Sequence, residues 1–417
     1  DLTEVISRQF KDGEPALFND LSWDRTEVIC LPEPIGGVQG QDIEGGTLYK
    51  CKVPSLGHAQ IGALEIIEEK GNELKAEPLR LENDLLKITW NEQGLIDGIY
   101  DKEADREAIV HGEVANHFKL YEDIPNLWDA WDIDIYYDEI TPTTPRLVKS
   151  EVIEEGPLRA TISFHFEDEH YKIEQHVSLC TGSSRIDFKT KVDWRESEKM
   201  LRVDFPVNVY SDKATFEIQY GNLQRPTHYN TSWDMAQFEV VAHKWCDLSQ
   251  TNYGVALLND CKYGHKIKGN TISLNLLRSP KVPDPDADMH VHEFTYSLIP
   301  HAGDYIAGNV VKEAYQLNNP ITIHQSDQQY YSLLQIDSNN VIVENVKRAE
   351  DGKGLIVRLY ECHGADVTAS IDIDPKWKIC QLVNLLERSI RPVNLEEGRL
   401  SLDFGPFEIH TLKFTEQ

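Results

Sequence analysis

Polar and apolar residues alternate at period two in segment after segment, and this constrains the chain more than any other feature. Ala160-Thr161-Ile162-Ser163-Phe164-His165-Phe166, Tyr171-Lys172-Ile173-Glu174-Gln175-His176-Val177 and Arg185-Ile186-Asp187-Phe188-Lys189-Thr190-Lys191-Val192 all follow it. Each run puts apolar side chains on one face of an extended backbone and polar ones on the other. That pattern fits a half-buried antiparallel strand and is incompatible with the 3.6-residue period of a helix. Thr26-Glu27-Val28-Ile29-Cys30-Leu31 reads the same way until Pro32-Glu33-Pro34 and Gly36-Gly37 break it. Leu85 to Trp90, the turn Asn91-Glu92-Gln93-Gly94 and Leu95 to Tyr100 predict a β-hairpin. Only Gly308 to Leu317 has a helical pattern, and there is no internal repeat or low-complexity segment. Many strands separated by turns predict an all-β protein of stacked sheets, a β-sandwich architecture.

At 417 residues the chain exceeds one ordinary core. The charged run Glu68-Glu69-Lys70-Gly71-Asn72-Glu73 reads as a linker, and a second break follows Pro300-His301-Ala302-Gly303 and the helix. Strands resume after Asn319, in Val341 to Val343, Leu355 to Tyr360 and Ile409 to Phe414. The expected division is an N-terminal β segment at 1–75, a large sandwich at 76–318 and a small C-terminal sandwich at 319–417.

Seventy acidic residues against 41 basic ones give a net charge of −29. Nucleic acid and anionic membranes require a basic footprint, so neither is expected as a partner; a neutral sugar is compatible. No apolar run approaches membrane-spanning length, and Asp1-Leu2-Thr3-Glu4 does not open a signal-peptide pattern. The seven cysteines are scattered, with no C-x-x-C pair. They read as reduced thiols of a cytoplasmic protein, without disulfides.

Four stretches, in order along the chain, resemble the cytosolic and vacuolar branch of class II α-mannosidases, glycoside hydrolase family 38. Leu17-Phe18-Asn19-Asp20-Leu21-Ser22-Trp23-Asp24-Arg25 is similar to the "FNxLSWxR" words that open the family's C-terminal β region. Trp128-Asp129-Ala130-Trp131-Asp132 is the second. The third runs from Arg225-Pro226-Thr227-His228-Tyr229-Asn230-Thr231-Ser232-Trp233 through His243-Lys244-Trp245-Cys246-Asp247-Leu248-Ser249 and Tyr253 to Asp260, to Leu277-Arg278-Ser279-Pro280. Arg348-Ala349-Glu350-Asp351 with Pro406-Phe407-Glu408-Ile409-His410-Thr411 completes the series. The resemblance implies a galactose-mutarotase-like sandwich (a supersandwich) flanked by smaller sandwich segments. It also implies a parent enzyme that hydrolyses terminal α-mannose from oligosaccharides with retention, using an aspartate nucleophile, an acid/base carboxylate and a zinc ion. All of these belong to an N-terminal catalytic domain, whose zinc-ligand and nucleophile motifs have no match here. The expectation is a fragment inactive by itself, with no catalytic residue or metal of its own. Its partners would be the missing catalytic domain and a mannose-containing oligosaccharide, and a bared interface would favour self-association into a homo-oligomer.

Retaining hydrolysis needs two carboxylates flanking one bond, and among 70 acidic residues mere abundance identifies no pair. In Trp128-Asp129-Ala130-Trp131-Asp132, indoles could stack on sugar rings while Asp129 and Asp132 bind hydroxyls. The plainer and favoured reading packs Trp128 and Trp131 into the sandwich within a structural loop. His290 and His292 would share a strand face, as two metal ligands do, yet Pro283-Asp284-Pro285-Asp286 marks a loop and spacing fixes no third ligand. A milder reading has this loop, with Arg278 and Lys281, reaching toward the catalytic domain; relatives of the family use the β region to help close the sugar pocket. Arg225, His228 and Asn230, and likewise His243, Lys244 and Asp247, are too polar for a core unless hydrogen-bonded. They form either a satisfied network between sheets or a surface toward the catalytic domain. A carbohydrate-binding or scaffolding module without catalysis is the alternative to the mannosidase fragment. A literal epimerase, with a His acid and a Glu base, is disfavoured: Glu174 is not expected to converge with His165 or His176.

Overall fold

In the computed structural model, residues 13–68 and 74–416 are described. The linker reading at 68–73 and the first four residues therefore fall almost wholly outside them. The all-β class is borne out: 53% of the chain is strand and 5% helix, in several sheets with no barrel. The chain divides into two compact units, one of residues 69–218 and 223–318, the other of 1–68, 219–222 and 319–417. The segments expected as separate domains at the two ends thus belong to one unit.

The larger unit is built on a nine-stranded antiparallel sheet. Arg146–Glu154, Arg159–Glu167, Tyr171–Cys180, Ile186–Trp194, Val291–Ala302, Tyr253–Asn259 and Trp245–Gln250 follow one another across it. Alternation sets its two faces. Ile173, Gln175, Val177, Phe188, Thr190 and Val192 are buried, while Lys172, Lys189 and Lys191 are exposed. A five-stranded sheet includes His117–Glu122, Lys199–Pro206, Thr271–Arg278 and Gly264–Lys268. A second five-stranded sheet contains the expected hairpin, Leu86–Trp90 paired with Ile96–Asp101. Asn91 Oδ1 accepts from the Gln93 and Leu95 N–H groups in its turn, and Gly94 takes a φ of +75°. One core joins these sheets, including Trp90, Phe118, Phe164, Phe188, Phe205, Leu274 and Tyr296. Inside it, Gln175 donates to Thr190 Oγ1 (2.9 Å) and Tyr296 Oη (2.8 Å), and accepts from Asn116 Nδ2 (2.7 Å). Tyr296 Oη donates in turn to Asn116 Oδ1 at 2.7 Å, which satisfies a polar ring that would otherwise be costly to bury. The helix is Val310–Asn318, burying Val310, Val311, Ala314 and Tyr315.

In the other unit, Glu14–Asn19 pairs with Thr322–Ser326 on one side and Gly57–Gln60 on the other. Asn19 explains part of the opening sequence words: its side chain donates to Trp23 O and Pro54 O and accepts from Leu21 N. The C-terminal strands form a three-stranded and a five-stranded sheet around Leu359, Ile371, Leu402, Leu412 and Phe414. Glu361 is fully buried there, yet accepts from the His363, Gly364 and Phe407 N–H groups and from Asn340 Nδ2.

Candidate functional site

Two strands of the five-stranded sheet pair with opposite sides of Lys199–Pro206, which sets Glu122 opposite Lys199 and Arg278 opposite Met200. That register brings Asp123, just past one strand end, to Arg278 at the end of the other. Arg278 Nε lies 2.5 Å from Asp123 Oδ2 and Nη2 lies 3.0 Å from Oδ1, a two-pronged pair. Burial pushes the Asp123 carboxyl up, and the guanidinium pulls it back.

The same Arg278 holds the Trp-Asp-Ala-Trp-Asp turn, donating from Nη2 to Asp132 O at 2.7 Å and Asp129 O at 3.3 Å. Asp129 Oδ2 accepts from Lys281 N (2.5 Å) and Val282 N (3.1 Å), fastening the turn to the loop after Arg278. Trp131 N and Asp132 N both donate to Trp128 O, and Trp128 sits at φ +60°, a conformation a bulky residue holds only under constraint. The carboxylate of Asp129 and the backbone of Asp132 are therefore fasteners rather than free ligands for hydroxyls.

The tryptophans correct the expectation of packing. Trp128 and Trp131 remain 68% and 67% exposed, edge to face at 6.3 Å. Ile124, Leu127, Tyr136, Ile140 and Val282 are exposed with them. Five large apolar side chains besides the two tryptophans are thus left exposed in these segments.

Behind the turn lies a polar network that the sequence did not reveal. Buried Arg202 donates to Glu239 Oε2 at 2.9 Å, and Glu239 Oε1 accepts from Tyr137 Oη at 2.7 Å. Lys266 Nζ reaches Tyr137 Oη at 3.1 Å and Asp138 at 2.7 Å. These partners come from the loop, two strands and the segment before Val240–Val241, so only the register assembles them. Period and composition gave no signal for it.

The remaining candidates divide. Arg225 to Trp233 adjoins this network through Tyr229, whose ring lies 4.8 Å from Lys268 Nζ, itself 3.9 Å from Asp138. Arg225 lies over Phe216, with Nη1 unpartnered among the described residues, and burial holds its guanidinium below the ordinary range. His228 Nδ1 accepts from Asn230 N at 3.4 Å and stands 3.5 Å from Asp234, within the turn that caps the short helix Ser232–Met235. His243, Lys244 and Asp247 belong to an internal network instead. His243 N and Lys244 N both donate to Glu217, and Lys244 Nζ meets its carboxylate at 3.1 Å. Asp247 is buried against His301 at 2.7 Å. Of the two readings left open by the sequence, the satisfied network thus describes the second stretch.

His290 and His292 share a face as expected, their rings 3.9 Å apart. His292 Nε2–H donates to Asp288 O at 2.7 Å, and burial, with His290 adding to it, holds its pKa below the usual histidine range. Among the described residues no group of three His, Cys, Asp or Glu side chains is placed to hold a metal ion. One expectation is overturned outright. Glu174 and His176 lie two apart, hence on one strand face, and their side chains meet at 3.1 Å; His165 is the direct cross-strand partner of Glu174.

Two family models match, "Glycosyl hydrolases family 38 C-terminal domain" over 81–286 and "Glycosyl hydrolases family 38 C-terminal beta sandwich domain" over 340–412. The chain belongs to glycosyl hydrolase family 38, as part of its C-terminal region. It is 37% identical over 426 residues to human alpha-mannosidase 2C1, covering 96% of this chain and 40% of that protein. It is 39% identical over 351 residues to alpha-mannosidase G of Dictyostelium discoideum, covering 80% of this chain and 32% of the relative. It therefore spans less than half the length of these relatives. Among solved structures, an alpha-mannosidase from Enterococcus faecalis V583 superposes with a TM-score of 0.77 at 16% identity, over 99% of this chain and 58% of that one, which is a likeness of fold.

Proposed function

We propose that the chain is the non-catalytic β-sandwich part of a retaining α-mannosidase that releases terminal α-mannose from oligosaccharides. In this reading the Trp128–Trp131 turn forms the margin of the sugar pocket, against a catalytic domain elsewhere in the whole protein that holds the zinc and the reacting carboxylates. The single observation behind it is a rigid turn bearing two bare indoles, anchored by the buried Asp123–Arg278 pair. Indole faces stack on sugar rings or fill a partner's apolar pockets, and an anchored loop on a sheet edge presents them at little entropic cost. The relatives' names support the mannoside chemistry, and a cytoplasmic setting accords with the seven free thiols. Self-association through the bare indoles belongs to the same reading.

The isolated 417-residue chain should not hydrolyse an aryl α-mannoside, with or without added zinc. Turnover that follows the purified chain and is lost on replacing one of its own carboxylates would overturn this. In the whole enzyme, Trp128→Ala with Trp131→Ala should raise KM or weaken domain association. Unchanged kinetics and association would remove the turn from the pocket margin.

A further inference from the structure

The outer face of the nine-stranded sheet holds a second feature that the mannosidase reading does not use. Three adjacent strands, Tyr171–Cys180, Ile186–Trp194 and Val291–Ala302, place Glu174 opposite Lys191 and Lys191 opposite Glu293. The next row sets His176 opposite Lys189 and Lys189 opposite Thr295. With Asp260 these side chains line a cavity of about 330 Å³. It shares no lining residue with the Trp128 turn.

Its chemistry is mixed by construction. Lys191 Nζ meets Glu293 at 3.2 Å and His176 Nε2–H donates to Glu174 at 3.1 Å, so donors and acceptors alternate along a row. Asp260 gives Oδ2 to the Thr295 N–H at 2.8 Å, which fixes its carboxylate at the cavity wall. An anion entering here meets three carboxylates, and a cation meets two ammonium groups. A hydroxyl can donate to the first and accept from the second, so neutral polyols are the class that both rows favour. The volume stands at the small end of ligand pockets and suits one or two sugar rings.

We propose that this cavity is a carbohydrate-binding site, separate from the Trp128 turn, that recognises a neutral polyhydroxylated ligand through Glu174, His176, Lys189, Lys191, Asp260 and Glu293. No exposed indole, phenol or phenyl face lines it, so binding rests on hydrogen bonds that compete with water, and the dissociation constant falls in the millimolar range.

Saturation-transfer NMR on the full chain tests this with methyl α-mannoside as the neutral probe, and glucuronate and glucosamine as charged controls. The neutral sugar should bind, and Glu174→Gln with Lys191→Met should weaken it about tenfold or more. Both positions are partly exposed on the sheet's outer side, so the variant should melt like the parent; Asp260→Asn gives a second, independent probe of the same wall. Trp128→Ala, run alongside, separates signal that arises at the turn from signal that arises in the cavity. No binding of the neutral probe, preference for a charged one, or binding lost with Trp128 and kept in both cavity variants would each overturn the proposal. None of these results bears on whether the whole enzyme cleaves mannosides.

Discussion

Acid should loosen the larger unit, with buried His265 as a main contributor. His265 is fully buried, and because Tyr263 O can only accept, its 3.1 Å contact fixes the proton on Nδ1. Nε2 then faces the interior with no hydrogen-bond partner among the described residues. Adding a proton there would bury a cation without an acceptor. Burial, with Arg202, Arg225 and His243 nearby, accordingly lowers its pKa from 6.5 to about 4. The unfolded chain binds this proton below about 6.5 and the folded chain only below about 4. Between those values unfolding takes up a proton, so stability falls as pH falls and is fully retained above the window. At about 1.4 kcal/mol per tenfold change, the loss across the window is on the order of 3 kcal/mol. His265→Leu removes the titration and costs the Tyr263 hydrogen bond, about 1 kcal/mol at neutral pH. Urea unfolding followed by tryptophan fluorescence, across that window and above it, should give a shallower acid dependence for the variant than for the parent. Equal slopes, or a His265 Cε1 proton that titrates near 6.5 by NMR in the folded chain, would refute the reasoning.

Two other outcomes follow from the smaller sheets and the thiols. Glu361→Gln keeps the shape but turns one of two acceptor atoms toward N–H groups as a donor, and should cost about 2–3 kcal/mol in urea unfolding; a change within error would mean that the backbone groups find other partners. Seven thiols should titrate under denaturing, non-reducing conditions, with exposed Cys30 reacting first in the native chain, since burial pushes Cys51 and Cys380 up to about 12. Finding a single free thiol in denaturant would contradict the unpaired cysteines.

How far the sequence could be read depended on the range of the interaction. Tyr171–Cys180 and Ile186–Trp194 emerge where alternation put them, because a strand's two faces are set by its own residues. The Asp123–Arg278 anchor is invisible at that level, since only a shared neighbouring strand brings those positions together. Trp128 and Trp131 were expected inside because they are large and apolar, yet that rule runs only one way. The Glu174–His176 contact was legible: period-two arithmetic puts both on one face, and the expectation against it misapplied the period. The pairing of Leu17 with Ile323 has no local signature. A segment's own pattern says that it wants a partner strand but does not say which.

That last pairing has a consequence for how the chain is made. Ser55 Oγ bonds to Leu334 O across 279 residues, and Val343 N bonds to Ser22 Oγ across 321. At roughly 5–20 residues per second on the ribosome, the first strands wait about 15 to 60 seconds for the partners that complete their sheet. During that interval Glu14–Asn19 lacks Thr322–Ser326 along one edge, a strand edge open to wrong pairings. Synthesis of the larger unit's residues occupies most of the wait, so nascent chains stalled between Asn318 and Thr322 should be the species most readily held by chaperones.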